Sequence, residues 1–188
     1  MIWHELGPFT VFDVETTGMS PVRDRIVEIA ALRIDCDGRE SRFSSLVNPL
    51  CRIPSAVTCI HHITDEMVAD APCFETVGEE FSRFAQGTTL VAHNARFDLG
   101  FLQESLARCG LAPWEGRTMD SVRLARSVYP GLPSYRLQDL RVTLDLERSE
   151  GTAHRAGSDV EWTAVLLRKA LTRLIESQRK QQPQTKGC

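Results

Sequence analysis

No apolar stretch in this chain of 188 residues approaches the 18 needed to cross a bilayer, so the sequence offers no membrane span. None of the six cysteines (Cys36, Cys51, Cys59, Cys73, Cys109 and Cys188) forms a CxxC pair, and none stands at zinc spacing from a histidine. They read as reduced thiols of a cytoplasmic protein. No GxGxxG follows the first apolar run, which excludes the glycine-rich turn of a dinucleotide-binding domain. A GxSxG elbow is missing too, and with it the usual serine hydrolase. There is no internal repeat and no interdomain linker, and Glu5 and Asp13 come too early for a signal peptide. Net charge is only −3, so a general basic surface for long duplexes is not indicated. The tail from Ser177 carries Arg179, Lys180 and Lys186 and no acid, which leaves −6 on the rest.

What is present suits a single domain. A chain of this length buries roughly 70% of its unfolded surface and needs no disulfide or structural zinc. The composition, 42% hydrophobic and 25% charged, is ordinary for a globular protein. Phe9–Val14 is a short β-branched run that predicts a buried strand. Arg25–Asp35 is ambiguous between strand and helix, but its β-branched ends and the turn at Cys36-Asp37-Gly38 favour a strand, with Arg42–Asn48 as the returning one. Helical spacing then takes over in Phe74–Ala85. Thr88–Ala92 predicts another strand, and Asn94–Arg108 an amphipathic helix stopped by Gly110. Helices are expected over Asp120–Val128, Tyr135–Leu144 and Arg155–Glu176. Strands first, then alternating strands and helices, give an α/β domain with a mixed sheet over residues 1–176. The polar tail 177–188 is read as disordered.

Asp13 and Glu15 end the first predicted strand. Residues i and i+2 of a strand share a face, so both carboxylates emerge together at the C-terminal end, where α/β sheets commonly hold ligands. About three acid pairs at this spacing are expected by chance in a chain with 25 acids, so the pair alone is weak. Its setting strengthens it, because an acid inside an apolar strand is costly unless paired or bound to metal. Asp98 opens the helix after the fourth predicted strand, where an acid also suits the helix dipole. Asp159 opens the last helix. On one continuous helix His154 and Asp159 would diverge by about 140°, so His154 must precede the helix if both serve one site.

These segments, Val11–Gly18 (VFDVETTG), Val91–Asp98 (VAHNARFD) and His154–Asp159 (HRAGSD), occur in order and in register. Together they resemble the three motifs of the DEDDh (DnaQ-like) family of 3′→5′ exonucleases, in particular the proofreading subunits and domains of bacterial DNA polymerase III. Ile26–Ala31, Ile63–Met67 and Asp120–Arg126 agree with the resemblance, which runs from about Phe9 to Leu174. It implies a ribonuclease H-like fold, a five-stranded mixed sheet flanked by helices. It assigns Asp13, Glu15, Asp98 and Asp159 as ligands of two Mg²⁺ or Mn²⁺ ions and His154 as general base. Hydrolysis would release nucleoside 5′-monophosphates. A histidine base with an ordinary pKa of about 6.5 implies a rate that rises from about pH 6 to 8. The implied substrate contacts are Thr16, Thr17, Gly18, Met19, His61, Asn94 and Phe97, with Phe97 and Asn94 equally readable as core and helix cap. The implied partners are single-stranded or frayed DNA 3′ ends, with RNA as the alternative, and a polymerase catalytic subunit. A non-catalytic module that binds DNA ends or a polymerase is the competing class; the complete set of five catalytic residues weighs against it.

Two positions depart from the family pattern. His62 stands where relatives often carry glycine, in His61-His62-Ile63-Thr64, and Val160 stands where alanine is usual. The pair His61-His62 is read as lying in an extended loop, its side chains pointing apart.

Overall fold

The computed structural model of the protein describes residues 2–146 and 156–181. After a 3₁₀ turn over Trp3–Leu6 come three strands, β1 (Phe9–Thr16), β2 (Ile26–Ile34) and β3 (Glu40–Leu46). Helices α1 (Ser55–His61), α2 (Asp65–Val68) and α3 (Phe74–Ala85) follow. Then come β4 (Thr89–Ala92), α4 (Ala95–Arg108), β5 (Thr118–Asp120), α5 (Ser121–Val128), α6 (Leu137–Thr143) and α7 (Ala156–Gln181). The strands form one sheet in the order β3-β2-β1-β4-β5. The first three pair antiparallel, while β4 and β5 add in parallel to β1 and to each other. This is the expected mixed five-stranded sheet.

Alternation along β1 assigns its two faces. Phe12 and Val14 join Phe81 of α3 and Phe101, Leu102 and Leu106 of α4 in one buried cluster. Phe9 and Val11 lie on the other face, with Ala30 and Leu32 of β2. There they pack against Ala156, Val160, Ala164, Leu167 and Leu171, a stripe at helical spacing along α7. Helix α7 therefore runs antiparallel to β1, and its first turn lies where β1 turns from apolar residues to Asp13 and Glu15. Val160 is 3% exposed in this stripe, so its departure from alanine is absorbed by packing.

One irregularity marks the end of β1. Glu15 pairs with Glu28, but Thr16 pairs with Ile26, so Val27 is an extra residue in the ladder. Val27 is fully buried with Ile53, Ile63 and Val68, a small second core under α1 and α2.

Several expectations need correction. Helix α7 continues to Gln181, five residues past the expected end at Glu176, because Ser177–Gln181 contains no glycine or proline to stop it. His61-His62 does not lie in an extended loop: His61 ends α1, and His62 caps it in the left-handed conformation (φ 61°, ψ 18°). This conformation explains why glycine is common there, since a Cβ is strained in it. Exchanging His62 for glycine is expected to raise stability by about 0.5–1 kcal/mol, or roughly 2–3 °C in Tm, by thermal unfolding. An unchanged or lower Tm would show that the exposed imidazole makes compensating contacts.

No helix among the described residues is long and apolar enough to cross a membrane. The five described cysteines are free thiols.

Candidate active site

Three elements bring the acids together. Asp13 and Glu15 end β1 on the face that α7 covers. Asp159 lies in the first turn of α7. Asp98, 2% exposed, comes from the first turn of α4 on the opposite side of the sheet. Its Oδ1 accepts the backbone N–H of Val14 at 3.2 Å, a contact between residues 84 apart that fixes α4 against the end of β1.

The charges are felt across the cluster. Burial raises the Asp13 carboxyl well above its ordinary range, and Asp98, Asp159, Glu15 and Glu28 raise it further. Burial also pushes Asp98 up to about 8; Asp159 and Asp120 add to this, while backbone N–H groups, that of Val14 first, oppose it. Among the described residues, no three acidic, histidine or cysteine side chains stand at the mutual distances of a finished ligand cage. The acids are neighbours that repel, not a closed shell. Crowded carboxylates, two of them shifted toward the neutral form, are nevertheless a setting in which a divalent cation would relieve the repulsion. Their donors are all oxygen, which suits Mg²⁺ or Mn²⁺ better than zinc. His154 lies outside the described residues.

The turn after β1 is built from its own side chains. Thr16 donates to the carbonyl of Gly18 at 2.6 Å, and the Thr17 hydroxyl accepts the N–H of Arg25 at 2.9 Å. Both threonines are buried, and these bonds hold the turn in place. A Cβ on Gly18 would come within 2.4 Å of the Asp24 carboxylate, which accepts the N–H of Ser20. Met19, 79% exposed, is the side chain this turn presents outward.

The remaining expected contacts divide. His61 is buried, and its Nδ1 accepts the N–H of Ile63 at 3.0 Å, so this nitrogen holds its own loop instead of facing substrate. Phe97 is half-buried and packs on Phe101 with ring centroids 4.9 Å apart, at the edge of the core. Asn94 precedes α4 in the left-handed conformation (φ 66°), and its side chain makes no capping bond. It is exposed and, with His93, Arg126, Tyr135, Arg136 and Asp159, lines a cleft of about 780 Å³. His93 is held there by Ser121 Oγ at 2.8 Å and the Tyr135 carbonyl at 2.9 Å, and burial lowers its pKa.

Two acids beside the site escaped the sequence reading. Asp120 caps α5 by accepting the N–H of Val122 at 2.8 Å. Glu28, 5% exposed, faces Glu15 across the β1–β2 pair. Its signal was visible in IVEIAA, where an acid interrupts an apolar strand as Asp13 does.

The sequence matches the model of the RNase T exonuclease family over residues 10–167, which include β1, α4 and the start of α7. The chain belongs to this exonuclease family. Its relatives include the DNA polymerase III subunit epsilon of Treponema pallidum, 44% identical over 158 residues, or 83% of this chain and 73% of that protein. A PolC-type DNA polymerase III of Bacillus cereus is 38% identical over 89% of this chain, which spans only 12% of that protein. Among solved structures, Exonuclease X in complex with 5′ overhanging duplex DNA superposes with a TM-score of 0.68 at 33% identity. That match covers 87% of this exonuclease and 90% of the other chain. The fold is ribonuclease H-like.

Proposed function

We propose that this exonuclease is of the DEDDh type and removes nucleoside 5′-monophosphates stepwise from DNA 3′ ends. One observation carries the reading: Asp13 and Glu15 of β1, Asp98 of α4 and Asp159 of α7 meet at one end of the sheet, close enough to perturb one another. Asp13, Glu15, Asp98 and Asp159 would hold two Mg²⁺ or Mn²⁺ ions. When bound, such a pair supplies Lewis-acid activation of water and stabilisation of the leaving oxygen. The protein supplies the rest. His154 takes the proton of the attacking water. The new P–O bond forms as the P–O3′ bond breaks, and the leaving 3′-oxygen takes a proton from solvent, so the shortened strand keeps a 3′-hydroxyl. Met19 and Phe97 offer apolar surface to the terminal base, and Asn94 lines the cleft beside Asp159. Residues 1–176 are the exonuclease unit in this reading. The epsilon and PolC relatives support a role in proofreading or repair beside a polymerase catalytic subunit in the cytoplasm.

The test is digestion of 3′-labelled and 5′-labelled strands, DNA and RNA side by side, with and without EDTA. Immediate release of the 3′ label, a ladder from the 5′-labelled strand and full dependence on Mg²⁺ or Mn²⁺ are expected, with DNA preferred. Internal cleavage, loss from the 5′ end, or activity in EDTA would overturn the reading. Faster digestion of RNA would reassign the substrate.

A further inference from the structure

Glu28 is a buried carboxylate placed where another negative charge is unwelcome. It faces Glu15 directly in the β1–β2 pair, and residues so paired share a face of the sheet. Its charge adds to the crowding around Asp13. Its Oε2 accepts the backbone N–H of Ala156 at 3.2 Å, across 128 residues of sequence. Ala156 is the fully buried first described residue of α7, and Asp159 follows three residues later. The first N–H groups of a helix lack partners within it, and their partial positive charge favours a carboxylate.

From this geometry we infer that Glu28 is a positioning residue: it ties the first turn of α7 to β2 and so sets where Asp159 stands relative to Asp13 and Glu15. The bond parallels that of Asp98 with the Val14 N–H. In each case a carboxylate locks a helix start to a strand beside the acids. The apolar stripe of α7 holds the helix against the sheet. A bond from its first amide fixes the height. The inference rests on the proposed role of Asp159 as a metal ligand.

The test compares Glu28→Gln, which keeps an acceptor oxygen without the charge, with Glu28→Ala, which removes it. Mn²⁺ binding by calorimetry, kcat and KM on a labelled strand, and thermal unfolding in EDTA are measured for each. Glu28→Ala is expected to weaken Mn²⁺ binding and kcat by about 10–100-fold, with KM nearly unchanged. Glu28→Gln is expected to stay close to wild type. Ala156→Pro removes the donor and leaves the Glu28 carboxylate in place. It should reproduce the Glu28→Ala defect, and the double variant should add nothing further. It also reads the same link if Glu28→Ala fails to fold. Unchanged Mn²⁺ affinity in both Glu28→Ala and Ala156→Pro would overturn the inference. So would a Glu28→Gln defect as large as that of Glu28→Ala, which would make the charge, not the acceptor, the active feature. A wild-type chain that neither binds Mn²⁺ nor digests 3′ ends would instead sink the proposed function.

Discussion

Replacing Asp98 by asparagine is expected to stop turnover and, in the same protein, to raise stability in the absence of metal. The amide oxygen can still accept the Val14 N–H, so the clamp between α4 and β1 survives. What disappears is a buried charge among like charges. The Asp98 carboxyl sits at about 8 in the folded protein against 3.8 for the free group, and burial is the main cause. Between these values the folded chain binds more protons than the unfolded one. Its stability therefore falls as pH rises from about 4 through 8. Asparagine removes that slope, and the expected gain is about 1–3 kcal/mol at pH 8, smaller at pH 5, by urea unfolding in EDTA. Asp13 is shifted in the same direction, so part of the wild-type slope remains. Turnover should drop by on the order of 10²–10³-fold or more. Retained turnover would remove Asp98 from the ligand set. An equal stability gain at pH 5 and 8 would show that burial of its charge is not the cause.

His154→Ala is expected to separate proton transfer from metal binding. Loss of a general base costs about 10²–10⁴-fold in rate. Mn²⁺ affinity should hardly change, because the four carboxylates remain. Asp159→Ala should lose both, since the first turn of α7 is where that carboxylate meets the β1 pair. Rate below pH 7 should also become less steep in pH in His154→Ala. A variant that loses Mn²⁺ binding in proportion to rate would place His154 among the ligands instead.

The parts of this structure that were legible in the sequence are those whose local chemistry agrees with their packing. Phe9–Val14 reads as a strand from its β-branched run alone, whereas Ile26–Ile34, buried on both faces, has no alternation and is told from a helix only by its β-branched ends and the turn that follows. The order of Asp13, Glu15, Asp98 and Asp159 is legible because the motifs carry it, and in the structure Asp98, Asp159 and Glu15 all act on the Asp13 carboxyl. Strand β5 was not found as an element: three residues, Thr118–Asp120, have no periodicity to detect. Helix α1 was missed because Val57, Thr58 and Ile60 are β-branched and its length is only two turns. The buried state of His61 was hidden for the same reason, since it follows from where α1 ends. Glu28 and Asp120 went unassigned because their partners are the backbone amides of Ala156 and Val122, which no side-chain motif records.

The surplus residue Val27 has a mechanical consequence. Its side chain belongs to the apolar layer beneath α1 and α2, and its carbonyl accepts the N–H of Val47 at 2.8 Å. The roof formed by these two helices thus rests on the sheet through this layer, one residue from Glu28. Amide exchange in α1 and α2 should track that of β2 as denaturant is raised, so that roof and sheet melt as one unit.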